Sequence, residues 1–190
     1  MQMTVTSSTR KLSTAEERRA SVLDAAMPIF AASGYAASTL EIAKAAGISQ
    51  AYLFRLFPTK AELFAAVTDA ASERMQATFR DAAARARAEG TDPLDEMGKA
   101  YDELLDRDRD VLLVQLHSRV VAGAEPVIRE AVQRCFRKVY ELAARESGAG
   151  DEELRVWFAH GMLCDVMAAI DADRVDEPWA RALTGGPATD

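Results

Sequence analysis

Cysteine and histidine are scarce in this 190-residue sequence: Cys135, Cys164, His117 and His160 are all it has. Two cysteines are too few for a disulfide scaffold or an all-cysteine zinc site. His160 and Cys164 stand at i, i+4, a spacing that would put two ligands on one helix face, but no third ligand of that kind is near. Packing is therefore the expected role of Cys164, and no metal or cofactor is expected. The ten glycines form no phosphate-cradling loop, and no nucleophile elbow or ordered catalytic set is present, so the sequence does not read as an enzyme. No apolar run reaches the ~18 residues of a membrane span. The stretch before Lys11 lacks the apolar segment of a secretory signal, so a cytoplasmic protein without a membrane partner is expected. Aromatic residues make up only 7% of the chain.

Net charge is −7, which taken alone argues against a nucleic-acid partner. The charge is unevenly spread. Residues 1–60 hold seven basic and four acidic side chains, a net of +3, and the remaining 130 residues sum to −10. A basic module on an acidic body is the expectation from that split, for motifs to decide.

What is abundant is alanine, with 37 residues, and helix-boundary signals. Ser13-Thr14-Ala15-Glu16, Ser38-Thr39-Leu40-Glu41 and Thr59-Lys60-Ala61-Glu62 each fit a capping box. Pro93, Pro126 and Pro178 follow Asp92, Glu125 and Glu177, at the first helical position where a missing N–H is harmless. Gly34 reads as a left-handed helix end, with Phe30 and Tyr35 as its apolar pair. Pro28 should bend the first helix by removing the bond to the Asp24 carbonyl. These signals predict an all-α chain with helices at 14–33, 39–46, 50–56, 60–88, 93–106, 109–121, 126–146, 152–171 and 178–183.

The two short helices at 39–56 carry the sharpest pattern. The first presents Leu40, Ile42, Ala43 and Ala46, and the second Leu53, Leu56 and Phe57. Neither is long enough to stand alone in water. Ala43 permits a close crossing, Gly47 supplies positive φ, and Ile48 plugs the corner. That spacing fits a helix-turn-helix, with a purely structural helical hairpin as the alternative. The wider run includes Arg18-Arg19, Phe30, Gly34-Tyr35, Ser38-Thr39, Ile42-Ala43 and Ala46-Gly47-Ile48-Ser49. It continues through Phe54-Arg55-Leu56-Phe57-Pro58-Thr59-Lys60 to Phe64. In order and spacing it resembles the DNA-binding domain of the TetR family of bacterial transcriptional regulators.

The resemblance implies a three-helix DNA-binding domain at 13–59 and a helical sensing and dimerisation domain at 60–183. Residues 1–12 and 184–190 are expected to be a disordered arm and tail. It implies that double-stranded operator DNA is met by Thr39, Lys44, Ser49, Gln50, Ala51, Tyr52, Arg55 and Lys60. Gln pairs bidentately with adenine and Arg with guanine, while Thr39 and Lys60, each opening a helix, would meet phosphate. Phe54 departs from the pattern, since many relatives carry a phosphate-contacting Tyr there; Tyr52 could take over that contact.

In the body, helix 126–146 has a one-sided stripe and helix 152–171 is apolar almost all round, so both are expected to form a homodimer interface, a four-helix bundle. Met97, Tyr101, Gln115, His117, Phe136, Trp157 and Met162 are the expected lining of a pocket for a small, mainly apolar inducer. The whole then reads as a dimeric repressor, with a helical dimer that binds a small molecule or partner but not DNA as the alternative.

Overall fold

The computed structural model describes residues 14–185, and among these there is no strand. The helices are α1 (Ala15–Ser33), α2 (Thr39–Ala45), α3 (Gln50–Leu56), α4 (Lys60–Glu89), α5 (Pro93–Arg107), α6 (Arg109–Val121), α7 (Pro126–Ser147), α8 (Asp151–Ala169) and α9 (Pro178–Thr184). The expected termini agree within a residue or two because the caps set them. Thr59 and Glu62 exchange both capping-box hydrogen bonds at the start of α4, and Asp92 Oδ1 accepts from two backbone amides at the start of α5. Pro93, Pro126 and Pro178 occupy the first turns of α5, α7 and α9.

Three local expectations are corrected. The box at α1 uses Thr14 and Glu17, one residue later than the Ser13–Glu16 reading. At α2 only half a box forms: Ser38 accepts from the Glu41 amide, and Glu41 does not reach back. Gly34 does have positive φ, but at φ 53°, ψ −144° it lies outside the left-handed helical basin and leads into a 3-10 turn over Gly34–Ala36. Phe30 and Tyr35 meet through a third ring, each stacking on Phe64 of α4, at centroid distances of 4.5 and 5.8 Å. α1 is assigned as one helix through Pro28. Arg10, Lys11, the expected arm at 1–12 and residues 186–190 of the expected 184–190 tail lie outside the described residues, while Thr184, expected to be disordered, ends α9.

α4 is the axis of the molecule. Its stripe of Leu63, Phe64, Val67, Ala71, Met75, Phe79 and Ala82 is buried, chiefly against α7 and α5, with α6 and α1 closing over the rest. α1 packs along α6 as well as α4, so one apolar cluster runs without a break from Val22 in α1 to Leu154 in α8. α7 spends its stripe inside the chain: Ile128, Ala131, Cys135, Val139 and Leu142 are buried, with α4 its main contact. α8 does the opposite. Only Leu154, Asp165 and Met167 are buried there, while Val156, Met162, Val166 and Ile170 stand exposed along one face.

Candidate nucleic-acid interface and body cavity

The paired short helices are held by backbone geometry first. Gly47 has φ 66°, and its neighbour Ile48 returns an N–H to the Ala43 carbonyl at 3.0 Å, closing the turn between α2 and α3. Ile42, Ala43, Leu53 and Phe57 are then buried beneath the turn. Leu40, expected to face inward, is instead 63% exposed. It lies two residues before Ile42, and a helix step of two turns a side chain to the far face. Leu56 is half-buried against the core, at the edge of the inward face.

α3 is fastened at both ends. Ser49 accepts from the Tyr52 amide at 3.1 Å, and at the other end Arg19 of α1 donates from Nη1 to the Leu56 carbonyl at 2.5 Å. The same guanidinium sits 4.1 Å over the Phe57 ring. No local pattern points to this role for Arg19, because the contact spans 37 residues.

With Leu53 and Phe57 inward, Ala51 and Arg55 project outward and Tyr52 lies half-buried beside them. The Arg55 guanidinium lies 4.5 Å over the Tyr52 ring, so the two form one amphipathic unit. Gln50 Nε2 donates to Thr39 Oγ1 at 2.9 Å, which ties the start of α3 to the start of α2. This bond uses one of two amide hydrogens of Gln50 and leaves its carbonyl oxygen and the Thr39 hydroxyl proton for other partners. Lys44 is exposed on α2. Lys60 opens α4, its ammonium 5.0 Å over the Tyr35 ring. Tyr35 in turn donates its hydroxyl to Glu125 Oε1 at 3.1 Å, across to the start of α7. Burial and, secondly, Glu125 hold the Tyr35 phenol above its ordinary pKa. Phe54 is partly exposed beside this group. Of the eight sequence-assigned residues, Thr39 with Gln50, and Ser49 and Arg55 with Tyr52, are thus in direct contact, while Lys44, Ala51 and Lys60 lie on α2, α3 and the first turn of α4.

This arrangement, rather than charge, distinguishes the surface. Of the seven basic residues before position 61, five fall in the described part, against four acids. The comparisons then identify it. Residues 22–67 match the family described as "Bacterial regulatory proteins, tetR family". Residues 22–67 thus carry a helix-turn-helix domain of the TetR type. It is 27% identical over 136 residues to the HTH-type transcriptional activator FasR of Mycolicibacterium smegmatis (strain ATCC 700084 / mc(2)155), a match covering 70% of this chain. The chain spans 62% of the length of that relative. A TetR-family member from Streptomyces coelicolor A3 shares the fold at a TM-score of 0.64 and 22% identity, over 91% of this chain and 99% of that one. The fatty acid degradation regulator FadR from Bacillus halodurans does so at 0.63 and 20%, over 95% and 100%. The relative and the two neighbours are each described as regulators or members of that family. Among the described residues of this chain no helix is long and apolar enough to cross a membrane, and no three His, Cys, Asp or Glu side chains cluster as a metal site.

The body of the chain forms a cavity among α4, α5, α6, α7 and α8, partly open to solvent at His160 and Met162, with free space of about 50 Å³. An apolar cavity that holds benzene measures about 150 Å³, so a ring fits only by parting the walls or by protruding through the mouth. The seven expected pocket residues divide here. Tyr101, Phe136, Trp157 and Met162 line the cavity; Met97, Gln115 and His117 do not. Met97 is fully buried in the core. Gln115 is buried against Cys135, with Nε2 3.8 Å from its Sγ. His117 faces the DNA-binding module, with Nε2 3.2 Å from the Ala31 carbonyl oxygen and its ring against Gly34.

The cavity also contains a group that sequence reasoning missed. Asp165, only 1% exposed, accepts from the Tyr101 hydroxyl on Oδ1 and from Arg119 Nη1 on Oδ2. Burial and then the Asp165 carboxylate push the Tyr101 phenol well above its ordinary value. For Arg119, burial works against the cation, but Asp165 outweighs it and holds the guanidinium charged. Arg119 Nε is buried and finds no acceptor among the described residues, an omission that typically costs about 1–3 kcal/mol. A signal for Asp165 was present: one acid flanked by Leu163, Cys164, Val166 and Met167 in the otherwise apolar second half of α8.

Proposed function

We propose that this chain is a homodimeric transcriptional regulator that acts in the cytoplasm, reads an inverted-repeat operator through α3, and is released by a small, mainly apolar ligand. The observation that supports DNA reading most directly is the two-ended fastening of α3, with Ala51, Tyr52 and Arg55 left on its outer side. A helix that enters a major groove must be rigidly placed and must expose its polar face. In this reading Arg55 and Gln50 meet base edges and Ala51 a thymine methyl, while Tyr52, Ser49, Thr39, Lys44 and Lys60 hold the backbone.

A homodimer is supported by the apolar face of α8, where Val156, Val166 and Ile170 are each about half exposed or more. A second copy related by a two-fold axis would cover that face with the same residues and supply the second recognition helix. α7 would contribute its outer edge, Tyr140 and Val127, rather than its main stripe. Repression is the mode we propose, since occupancy of an operator is enough to block transcription; the activator FasR marks the other sign, and a reporter assay with the gene deleted decides between them.

Release follows from linkage. A ligand that prefers the body shape in which the two α3 helices are wrongly spaced lowers DNA affinity by that preference, and DNA lowers ligand affinity by the same factor. The deciding experiment is selection from a random DNA pool, followed by titration of the selected site at several salt concentrations. An inverted repeat is expected. Lys60→Ala should weaken binding to all sequences and reduce the salt slope by roughly 0.9, and Arg55→Ala should cost about 1–3 kcal/mol at one base pair of each half-site. No enriched repeat, or two variants that bind as the parent does, would overturn the reading.

A further inference from the structure

Five aromatic side chains form a continuous wall on one side of the body cavity. Phe79 meets the Trp157 edge at 5.4 Å, Trp157 meets Phe158 at 5.4 Å, and Phe158 stacks on Phe136 at 5.9 Å; Tyr101 adjoins Phe79 at 5.7 Å. Trp157 is fixed by its indole N–H, which donates to the Leu94 carbonyl at 3.1 Å. Gly161 keeps α8 close to Tyr101 without filling the space between them: a Cβ there would lie 3.7 Å from the Tyr101 ring. Such a wall favours a ring, which can meet its neighbours edge-to-face or offset.

The polar group beside this wall has a specific vacancy in its hydrogen bonding. Both oxygens of Asp165 already accept, one from Tyr101 and one from Arg119. The Arg119 guanidinium lies 5.5 Å over the Phe136 ring, and its Nε is the buried donor left without an acceptor. Arg119 lines the cavity while its Nε is covered, so the group has room for one acceptor once the guanidinium shifts toward the bound molecule. It does not ask for a negative charge, because Arg119 is already neutralised by Asp165 and Asp102 lines the same cavity. It does not ask for a cation either, since the unpaired group is itself a donor on a cation.

We propose that the cavity binds an uncharged aromatic molecule carrying a single hydrogen-bond acceptor, such as an aryl ketone or aryl ether, with the ring on the Trp157–Phe158 wall and the acceptor on Arg119 Nε. This rests on the ligand-released reading above and names its ligand class. The free space is smaller than a ring, and a ring seated fully inside would displace a wall of the cavity, the differential binding that release requires.

The test uses the full chain and three probes of matched size: propiophenone, its acceptor-free counterpart propylbenzene, and benzoate. Binding is read from tryptophan emission and thermal shift. Propiophenone is expected to bind about tenfold tighter than propylbenzene, the worth of one satisfied buried donor, and benzoate more weakly than either. Arg119→Lys keeps a cation for Asp165 but has no Nε, so it should erase the ketone preference and leave propylbenzene binding unchanged. Circular dichroism checks that this variant folds, and the three-probe comparison on the parent protein stands without it. Equal binding of ketone and hydrocarbon, tighter binding of benzoate, a preference that survives in Arg119→Lys, or no saturable binding of any probe would each overturn the proposal. Gel shifts on the selected operator keep the two readings apart. Intact DNA binding without ring preference rejects the ligand class alone, and ring preference without DNA binding rejects the regulator.

Discussion

Replacing Asp165 with Ala removes the one carboxylate that neutralises a largely buried Arg119 and also accepts from Tyr101. The loss combines an uncompensated buried cation with a stranded phenol, and breaking a buried pair in this way costs about 3–5 kcal/mol. For a chain of this size each kcal/mol moves the midpoint by roughly 2–4 °C, so Tm should fall by roughly 6–20 °C. The control is Asp24→Ala, which breaks an ion pair with Arg74 in which the side chains are 42% and 70% exposed. Solvent and salt screen that pair, and its loss should stay within about 1 kcal/mol. Thermal melts at one fixed protein concentration compare the two, since an oligomer would make Tm concentration-dependent. The energy of a buried pair lies mostly in not stranding its members. A triple variant, Tyr101→Phe with Arg119→Met and Asp165→Leu, should therefore recover most of what Asp165→Ala loses, in strong violation of additivity. An Asp165→Ala melt indistinguishable from Asp24→Ala, or a triple variant worse than Asp165→Ala, would refute the reasoning.

Gly34→Ala should destabilise by roughly 1–3 kcal/mol on backbone conformation alone, and further because its Cβ would fall 2.8 Å from His117 Nδ1; adding His117→Ala should recover the second part only, by urea melts. Gly47→Ala, with nothing within 4 Å of its Cβ, should show the conformational part alone, about 1–2 kcal/mol. Val156→Glu with Val166→Glu should convert a dimer to monomer in sedimentation velocity without loss of helix content; an unchanged dimer would place the interface elsewhere. Burial, and next Asp102, raise the Cys164 thiol to about 11. In a Cys135→Ala background, its reaction with a thiol reagent at pH 8 should be about a hundredfold slower than in the unfolded chain and should climb toward pH 11.

Element boundaries were legible because caps act locally: Thr59, Asp92 and Pro126 decide their helices within four residues of sequence. Periodicity identified which side chains are buried, but not against what. α7 shows why this matters. Its stripe was legible as an apolar face, yet the face is spent on α4, whereas α8 leaves Val156, Val166 and Ile170 uncovered. His117 was grouped with the cavity because it is polar on an apolar helix, whereas a helical step of two carries it to the side of α6 that meets α1, opposite Arg119. The Thr39–Gln50 and Tyr52–Arg55 pairs were within reach of sequence reasoning because the turn chemistry that joins α2 to α3 is also local. Arg19, whose partners lie in α3, and the Asp165–Tyr101 pair, 64 residues apart, have no such local signature.

That contrast bears on where the DNA-binding module ends. A boundary between residues 59 and 60 follows the motif but cuts through the packing, for Phe64 of α4 provides the ring on which Phe30 and Tyr35 stack. α2 and α3 have seven residues each and cannot persist without tertiary contacts. The module is therefore completed by the body, along α4 and along α6. α6 carries Arg119 at the cavity, His117 against Ala31 and Gly34, and leads into Glu125, which holds Tyr35 beneath Lys60. A wall displaced at Arg119 cannot move α6 without disturbing contacts that also set the position of α1 and the first turn of α4. The acidic body and the basic module are thus two charge regions of one packed unit, and the coupling that regulation requires is a property of their shared core.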